Sequence, residues 1–251
     1  MNLLPTIAAH AKNHGIEPLK SLGQNFLFNP SICEKIAKSA GIVSGDVVLE
    51  IGPGTAGLTR AILDLNPQKL IVVEKDYRCI NLLSEIKEIY PQLEILEKDA
   101  LTLKLENLAE IYSLKNKKIK IVANLPYNIA TPLIISWIKE IEYIKSIHVM
   151  VQKEVAERIT SENSTKSYGR LSVITQAVCY SKKLFDVSPE SFFPRPKIRS
   201  SIIELIPKSL VPSIDLISKL EIVTLNAFGM RRKMLRSSLK ALDISDKLEK
   251  F

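Results

Sequence analysis

Short apolar runs separated by amphipathic stretches set the rhythm of the chain. Val47-Val48-Leu49-Glu50-Ile51, Leu70-Ile71-Val72-Val73, Leu93–Leu96, Ile119-Lys120-Ile121-Val122-Ala123 and Ile147–Val151 have strand length and are rich in β-branched residues. That is the pattern of strands buried on both faces. Between them apolar residues return at helical spacing. Ile32, Ile36, Ala37 and Ala40 outline one helix, opened by Asn29-Pro30-Ser31 and stopped at Gly41. Leu58, Ala61, Ile62 and Leu65 outline a second, and helices are expected around Ile80–Tyr90 and Thr131–Ile141. Strand and helix in alternation predict a parallel sheet with right-handed crossovers.

After Gln152 the alternation breaks. A helical stretch reaches Ile159, a polar loop covers Ser161–Gly169, and a further helix is expected over Leu171–Tyr180. Strands near Lys183–Val187 and Ser200–Leu205 flank a Pro-rich loop with no helix between them. This predicts a hairpin-like finish and an antiparallel strand in the sheet. Pro207 and Pro212 mark a linker, so residues 1–207 are expected to form one α/β domain and residues 208–251 a small helical, basic one. The first twenty or so residues are mixed and weakly patterned.

Composition narrows the class. A chain of 251 residues suffices for one large domain with a small appendage. The formal charge of +8 favours nucleic acid or another anionic surface as partner. Cys33, Cys79 and Cys179 are odd in number and widely spaced, which argues against a disulfide framework or a zinc site and for a reducing compartment. His10 and His14 would share a face if their segment is helical. With His148 as the only other histidine, a solvated helix face is expected there and no metal. The N-terminus has no apolar signal core and no run approaches about twenty apolar residues, so a cytoplasmic protein with no membrane partner is expected.

Candidate chemistry lies at the ends of the apolar runs. Gly52-x-Gly54-x-x-Gly57 follows the first run and opens a helix, with acidic Glu74 about twenty residues on. This is a dinucleotide fingerprint, and a nicotinamide enzyme is the first reading it suggests. The same turn suits a nucleoside cofactor without a pyrophosphate, because glycines let the backbone approach any ligand closely. Three features favour S-adenosylmethionine. Glu50 precedes the loop, where an acidic residue can fix it and face the methionine ammonium. Asp99 ends the third run, placed to accept a bond from an adenine amino group. Asn124-Leu125-Pro126-Tyr127 closes the fourth.

That last motif can hold a flat amino-bearing base. Adenine N6 is a poor nucleophile because its lone pair is delocalised into the ring. Asn124 Oδ1 and the Leu125 carbonyl are expected to accept its two hydrogens and localise the pair, with Pro126 fixing the carbonyl. Tyr127 is expected to stack on the base and Phe192 to close its other face. The base must be unpaired or flipped to enter. Arg232, Arg236 and Lys240 recur at i, i+4 and i+8 and form one basic stripe if the tail is helical. Arg170, Arg195, Lys197 and Arg199 add charge near the site's mouth, as phosphate contacts do.

Leu22-Gly23-Gln24-Asn25-Phe26-Leu27, Glu50-Ile51-Gly52-Pro53-Gly54, Asn124-Leu125-Pro126-Tyr127, Tyr168-Gly169-Arg170-Leu171-Ser172, Phe192-Phe193-Pro194-Arg195-Pro196-Lys197 and Arg231-Arg232-Lys233-Met234-Leu235-Arg236 occur in this order. Through them the chain resembles the ribosomal small-subunit adenine N6,N6-dimethyltransferases over nearly its whole length. The resemblance implies a Rossmann-like class I methyltransferase: a mostly parallel seven-stranded sheet with an antiparallel strand, plus the helical C-terminal domain. It implies that Asn25, Leu27, Gly52, Glu74, Asp99 and Asn124 line the cofactor site. It also implies two methyls on each of two adjacent adenosines near the 3′ end of small-subunit RNA. Such bases are reached more easily before the ribosome matures, so the expected partner is the assembling small subunit, met by a monomer. Ala56 departs from the family, which often has a third glycine there. Rival readings are a large-subunit adenine methylase of the antibiotic-resistance type, a nicotinamide oxidoreductase and a non-catalytic RNA-binding assembly factor.

Overall fold

A computed structural model of the chain describes residues 4–114, 117–229, 234–239 and 242. Its centre is a seven-stranded sheet. In chain order the elements before it are α1 (Ile7–Asn13), β1 (Phe26–Leu27) and α2 (Pro30–Ser39). Then come β2 (Val47–Ile51), α3 (Gly57–Leu63), β3 (Lys69–Glu74), α4 (Tyr77–Ile89), β4 (Leu93–Glu97) and α5 (Leu105–Ile111). The second half runs β5 (Ile119–Asn124), α6 (Ala130–Lys139), β6 (Ile144–Gln152), α7 (Lys153–Thr160), α8 (Arg170–Val178), β7 (Cys179–Val187), β8 (Phe192–Phe193) and β9 (Ser200–Pro207). Helices α9 (Ile214–Gly229) and α10 (Leu235–Ser238) follow.

The strand order is β4-β3-β2-β5-β6-β9-β7, with β9 antiparallel to both its neighbours and the other pairings parallel. The chain runs outward from β2 through β3 to β4, then returns to the other side of β2 for β5. The order therefore reverses between β2 and β5. At such a switch point the loops leaving the two strands diverge and leave a crevice at their carboxyl ends.

Two apolar layers sandwich the sheet. One joins Leu49, Ile51, Ile121 and Ala123 to Leu133, Ile134, Trp137 and Ile174 on α6 and α8. The other joins Val48, Val72 and Val122 to Cys33, Ile36, Leu58, Ile62, Leu82 and Ile86 on α2, α3 and α4. Each fully buried Leu or Ile contributes about 1.5–3 kcal/mol, so these layers supply most of the drive to fold. Local signals set the helix starts. The Asn29 side chain accepts a hydrogen bond from Ile32 N at 3.2 Å with Pro30 in the first turn, and Asp76 accepts from Arg78 N.

Four differences from expectation have physical causes. The strand expected at 183–187 begins at Cys179, because pairing with β9 runs from Cys179↔Pro207 onward and ends α8 at Val178. This strand is the sheet's edge, and half-buried apolar residues among lysines gave it little periodicity. Helix α5 was not foreseen, nor was the two-stranded sheet in which Phe26 pairs with Phe193 and Leu27 with Phe192. The weakly patterned start contains α1, capped by Thr6.

His10 is buried rather than solvated: Nδ1 lies 2.5 Å from Arg60 Nη2 and Nε2 lies 2.8 Å from Glu85, which also meets His14 at 3.1 Å. A guanidinium can only donate, so His10 Nδ1 accepts from Arg60 and the Nε2 N–H donates to Glu85. The cluster clasps α1 onto α3 and α4.

Helix α9 packs on the first layer through Ile217 and joins it by ion pairs from Glu221 to Arg170 (2.8 Å) and Lys139 (2.7 Å). Among the described residues no helix is long and apolar enough to cross a membrane.

Candidate active site

The carboxyl ends of β2, β3, β4 and β5 open into one pocket, lined by Gly52, Glu74, Asp99 and Asn124 among others. Gly52 and Gly54 both have positive φ, +65° and +53°, which turn the chain sharply from β2 toward α3. A Cβ at Gly54 would sit 3.1 Å from the Phe26 ring, and one at Gly57 2.9 Å from the Leu27 carbonyl. The glycines therefore let residues 23–27 close over the loop. Ala56 takes the left-handed conformation (φ +60°) at the helix start that a glycine would adopt without strain.

Glu74 is buried at the end of β3. Its Oε1 accepts from the backbone N–H of Lys75 (2.8 Å) and Asp76 (2.9 Å), and its Oε2 from Gly54 (3.2 Å). Burial raises its pKa while these three N–H groups hold it down. The carboxylate thus ties the glycine loop to β3 and keeps acceptor lone pairs for a diol. Asp99 accepts from Leu101 N at 3.0 Å, capping the next turn, and from Lys75 Nζ at 3.1 Å; both interactions lower its pKa. Lys75 was not foreseen as its partner. Glu50 is fully buried, lines the same pocket, and its Oε2 has no hydrogen bond among the described residues. Burial pushes its carboxyl up to about 8, Thr59 opposing and the Glu74 charge adding to the rise.

Residues 21–28 cover the pocket. Gln24 fastens them, donating to Asp76 at 2.9 Å and accepting from Leu19 N at 2.9 Å. Gly23 has φ +63°, and a Cβ there would meet Asn128 Oδ1 at 2.8 Å. Asn25 and Leu27 line the pocket, and the Asn25 carbonyl accepts from Asn124 Nδ2 at 3.3 Å. That bond orients the Asn124 amide and leaves Oδ1, among the described residues, with no hydrogen-bond donor.

Leu125, Pro126 and Tyr127 also line the pocket. The Leu125 N–H is bonded to the Met150 carbonyl (3.3 Å) and the Pro126 carbonyl to Ile129 and Ala130, so the turn is held from both sides. The Tyr127 hydroxyl lies 2.7 Å from Ser200 Oγ on β9, and burial raises its pKa. Nothing in the sequence pointed to Ser200. Phe192 corrects an expectation: it is 5% exposed and packed in the core beside Leu27, with almost no free ring face. The exposed ring of that pair is Phe193, tilted against Phe28 at 6.5 Å between ring centres.

Of the basic residues expected to meet phosphates, Arg195 and Lys197 are exposed, with Arg195 paired to Glu190. Arg170 is half-buried and bound to Glu221, so it joins α8 to α9 rather than standing free. Ser172 accepts from Gly169 N at 3.1 Å, which explains why that motif opens α8. Arg232, Lys240 and the side chain of Arg236 lie outside the described residues.

A doubly wound sheet, a glycine loop tied to an acidic strand end, and an Asn-Leu-Pro-Tyr turn at the switch point define a class I methyltransferase. More narrowly, residues 17–251 match the family model described as ribosomal RNA adenine dimethylase, and the chain belongs to that family. A ribosomal RNA small subunit methyltransferase A from Agrobacterium fabrum is 44% identical over 98% of this chain and 89% of its own length. The crystal structure of a dimethyladenosine transferase from Plasmodium falciparum superposes with a TM-score of 0.73 at 33% identity, covering 89% of this chain and 78% of that one. A 23S rRNA methyltransferase, ErmE, gives a TM-score of 0.68 at 25% identity, covering 86% and 84%.

Proposed function

We propose that the protein dimethylates N6 of two adjacent adenosines near the 3′ end of small-subunit (16S) ribosomal RNA, using S-adenosylmethionine, during small-subunit assembly. It acts as a cytoplasmic monomer without a metal. The observation that carries the reading is the Asn124 amide: its Nδ2 is held by the Asn25 carbonyl at 3.3 Å, and its Oδ1 faces no donor among the described residues.

The pocket suits the donor on two counts. The glycine cradle would be filled by a Cβ at Gly54, and the buried Glu50 Oε2 has no partner among the described residues. Glu74 would take the ribose hydroxyls and Asp99 the adenine amino group, with Asn25, Leu27 and Gly52 along the walls. When bound, S-adenosylmethionine supplies a methyl group on an electrophilic sulfonium.

The chain's own residues then have one task, to present the nitrogen. Asn124 Oδ1 and the Leu125 carbonyl accept the two N6 hydrogens, so the lone pair leaves the ring plane and points at the donor. Tyr127, anchored to Ser200, carries the base on its ring. Orientation and proximity supply much of the rate, and no strong base is needed. As Phe192 lies, Phe193 is better exposed to cover the second face. Arg195, Lys197 and the stripe Arg232, Arg236 and Lys240 would follow the phosphates, with residues 208–251 as a basic helical unit.

The 23S enzyme's likeness keeps large-subunit RNA as the rival substrate. The test is radiolabelled methyl transfer to unmethylated small subunits, large subunits and DNA, with nucleoside analysis. Dimethyladenosine in small-subunit RNA alone supports the proposal, and label mainly in the other two overturns it. Asn124→Ala should cut transfer by orders of magnitude with donor affinity only modestly weaker. Near-normal turnover in that folded variant removes the Asn124 mechanism.

A further inference from the structure

We propose that Glu50 is a neutral acid in the empty pocket and becomes a carboxylate only when the donor's ammonium group docks, so that donor binding expels one proton. The proposal rests on the donor-site reading above and adds a charge requirement to it.

The geometry begins with strand alternation. Glu50 shares a face of β2 with Val48, and that face packs against the layer containing Cys33, Leu58, Ile62, Val72 and Val122. Glu50 is 1% exposed, yet it lines the pocket and its Oε2 accepts no hydrogen bond from the described residues. A buried carboxylate without partners is far costlier than a buried carboxylic acid.

The groups facing it do not relieve that cost. From β3 comes Glu74, another acid, which raises the Glu50 pKa further. From α2 comes Cys33, whose thiol is itself pushed up to about 12 by burial, with Glu50 adding to the rise, and so remains neutral. From α3 comes the Thr59 hydroxyl, which favours the ionised form but carries no charge. No lysine, arginine or histidine acts on Glu50 among the described residues. The result is a carboxyl that titrates near 8 and is mostly protonated at neutral pH.

A cation arriving beside Oε2 changes this balance. It supplies the missing counter-charge and hydrogen-bond donors, the carboxyl O–H ionises, and the proton leaves to solvent. An alkylammonium fits because it is both donor and cation, whereas a neutral group leaves Glu50 protonated. Glu50 therefore selects the amino-acid end of the donor by charge, while Glu74 and Asp99 act on the nucleoside end.

The test is calorimetry of the full-length protein at pH 7 in two buffers of different ionisation enthalpy. S-adenosylmethionine is compared with methylthioadenosine, which keeps the adenine and ribose but lacks the amino-acid part. Release of close to one proton is expected with the first ligand and none with the second. Between pH 5.5 and 7 the Kd for S-adenosylmethionine should tighten about tenfold per pH unit, while that of methylthioadenosine stays level. Glu50→Gln should remove the pH dependence without removing nucleoside binding. The wild-type comparison stands alone if that variant does not fold. A pH-independent Kd, or equal proton release with both ligands, overturns the role of Glu50. If neither ligand binds at any pH, the donor-site reading fails and this proposal with it.

Discussion

Two buried carboxyls near opposite ends of one strand are treated in opposite ways. Asp46 immediately precedes β2, at the amino end of the sheet. It receives Lys120 Nζ at 2.9 Å, Lys145 Nζ at 2.6 Å and the Val43 N–H at 2.9 Å. Burial alone would raise its pKa, but the bonds from Lys145 and Lys120 hold it below the ordinary value. Glu50, near the strand's other end, has no cation and one oxygen without a partner among the described residues. At the amino end of β2 the Asp46 charge is answered inside the chain by Lys120 and Lys145. At the carboxyl end the Glu50 carboxyl meets no cation among the described residues and stays protonated, and there an external cation can supply what is missing. Glu74 is intermediate, buried yet held by three backbone N–H groups.

The contrast can be broken by experiment. Its largest expected effect is on the stability of the ligand-free protein across pH. Glu50 has a raised folded pKa, so its burial costs nothing below its ordinary 4.5; the penalty grows with pH and is complete above about 8. One proton over that interval corresponds to about 1.4 kcal/mol per pH unit, on the order of 5 kcal/mol in all. Asp46 runs the other way. Its folded pKa is depressed, so its pairing stabilises fully above its ordinary 3.8 and is lost as pH falls through the folded value. Urea unfolding at a series of pH values should show Glu50→Gln lacking the decline between about 4.5 and 8; an unchanged profile means that Glu50 is ionised in the empty pocket.

Next in size is Asp46→Ala, which strands the Lys120 ammonium against the Ala40 and Gly41 carbonyls. A loss of about 3–5 kcal/mol is expected by denaturant unfolding, with donor affinity intact below the new melting point. A loss under about 1 kcal/mol would make the ion cluster a surface pair. Glu74→Ala should weaken S-adenosylmethionine binding by about 1.5–3 kcal/mol while RNA affinity stays level, as read by calorimetry. Unchanged donor binding removes Glu74 from the ribose role. The smallest effect is expected for Ala56→Gly. Relief of left-handed strain, about 1–2 kcal/mol, is offset by a lost buried methyl, about 0.8 kcal/mol, so thermal unfolding should show a gain under about 1 kcal/mol. A clear loss would show that the methyl's packing outweighs the backbone strain.

Much of the molecule follows from the sequence alone. The strands β2 to β6, their order of appearance, the glycine turn, Glu74, Asp99 and Asn124–Tyr127 are local features. An apolar run, a glycine with positive φ or a Pro-stiffened turn imposes its geometry within a few residues, and a contiguous motif therefore carries its own evidence. The tertiary structure alone decided which distant groups meet. It placed Ser200 under Tyr127, Gln24 on Asp76, Lys75 on Asp99 and Arg170 on Glu221. It buried His10 between Arg60 and Glu85, turned Phe192 into the core, paired β1 with β8, and closed the Asp46 charge while leaving Glu50 open. Periodicity records which face of an element is apolar but not what lies opposite. The partners of a buried charge come from residues far apart in sequence, so its protonation state is settled only when the chain is packed.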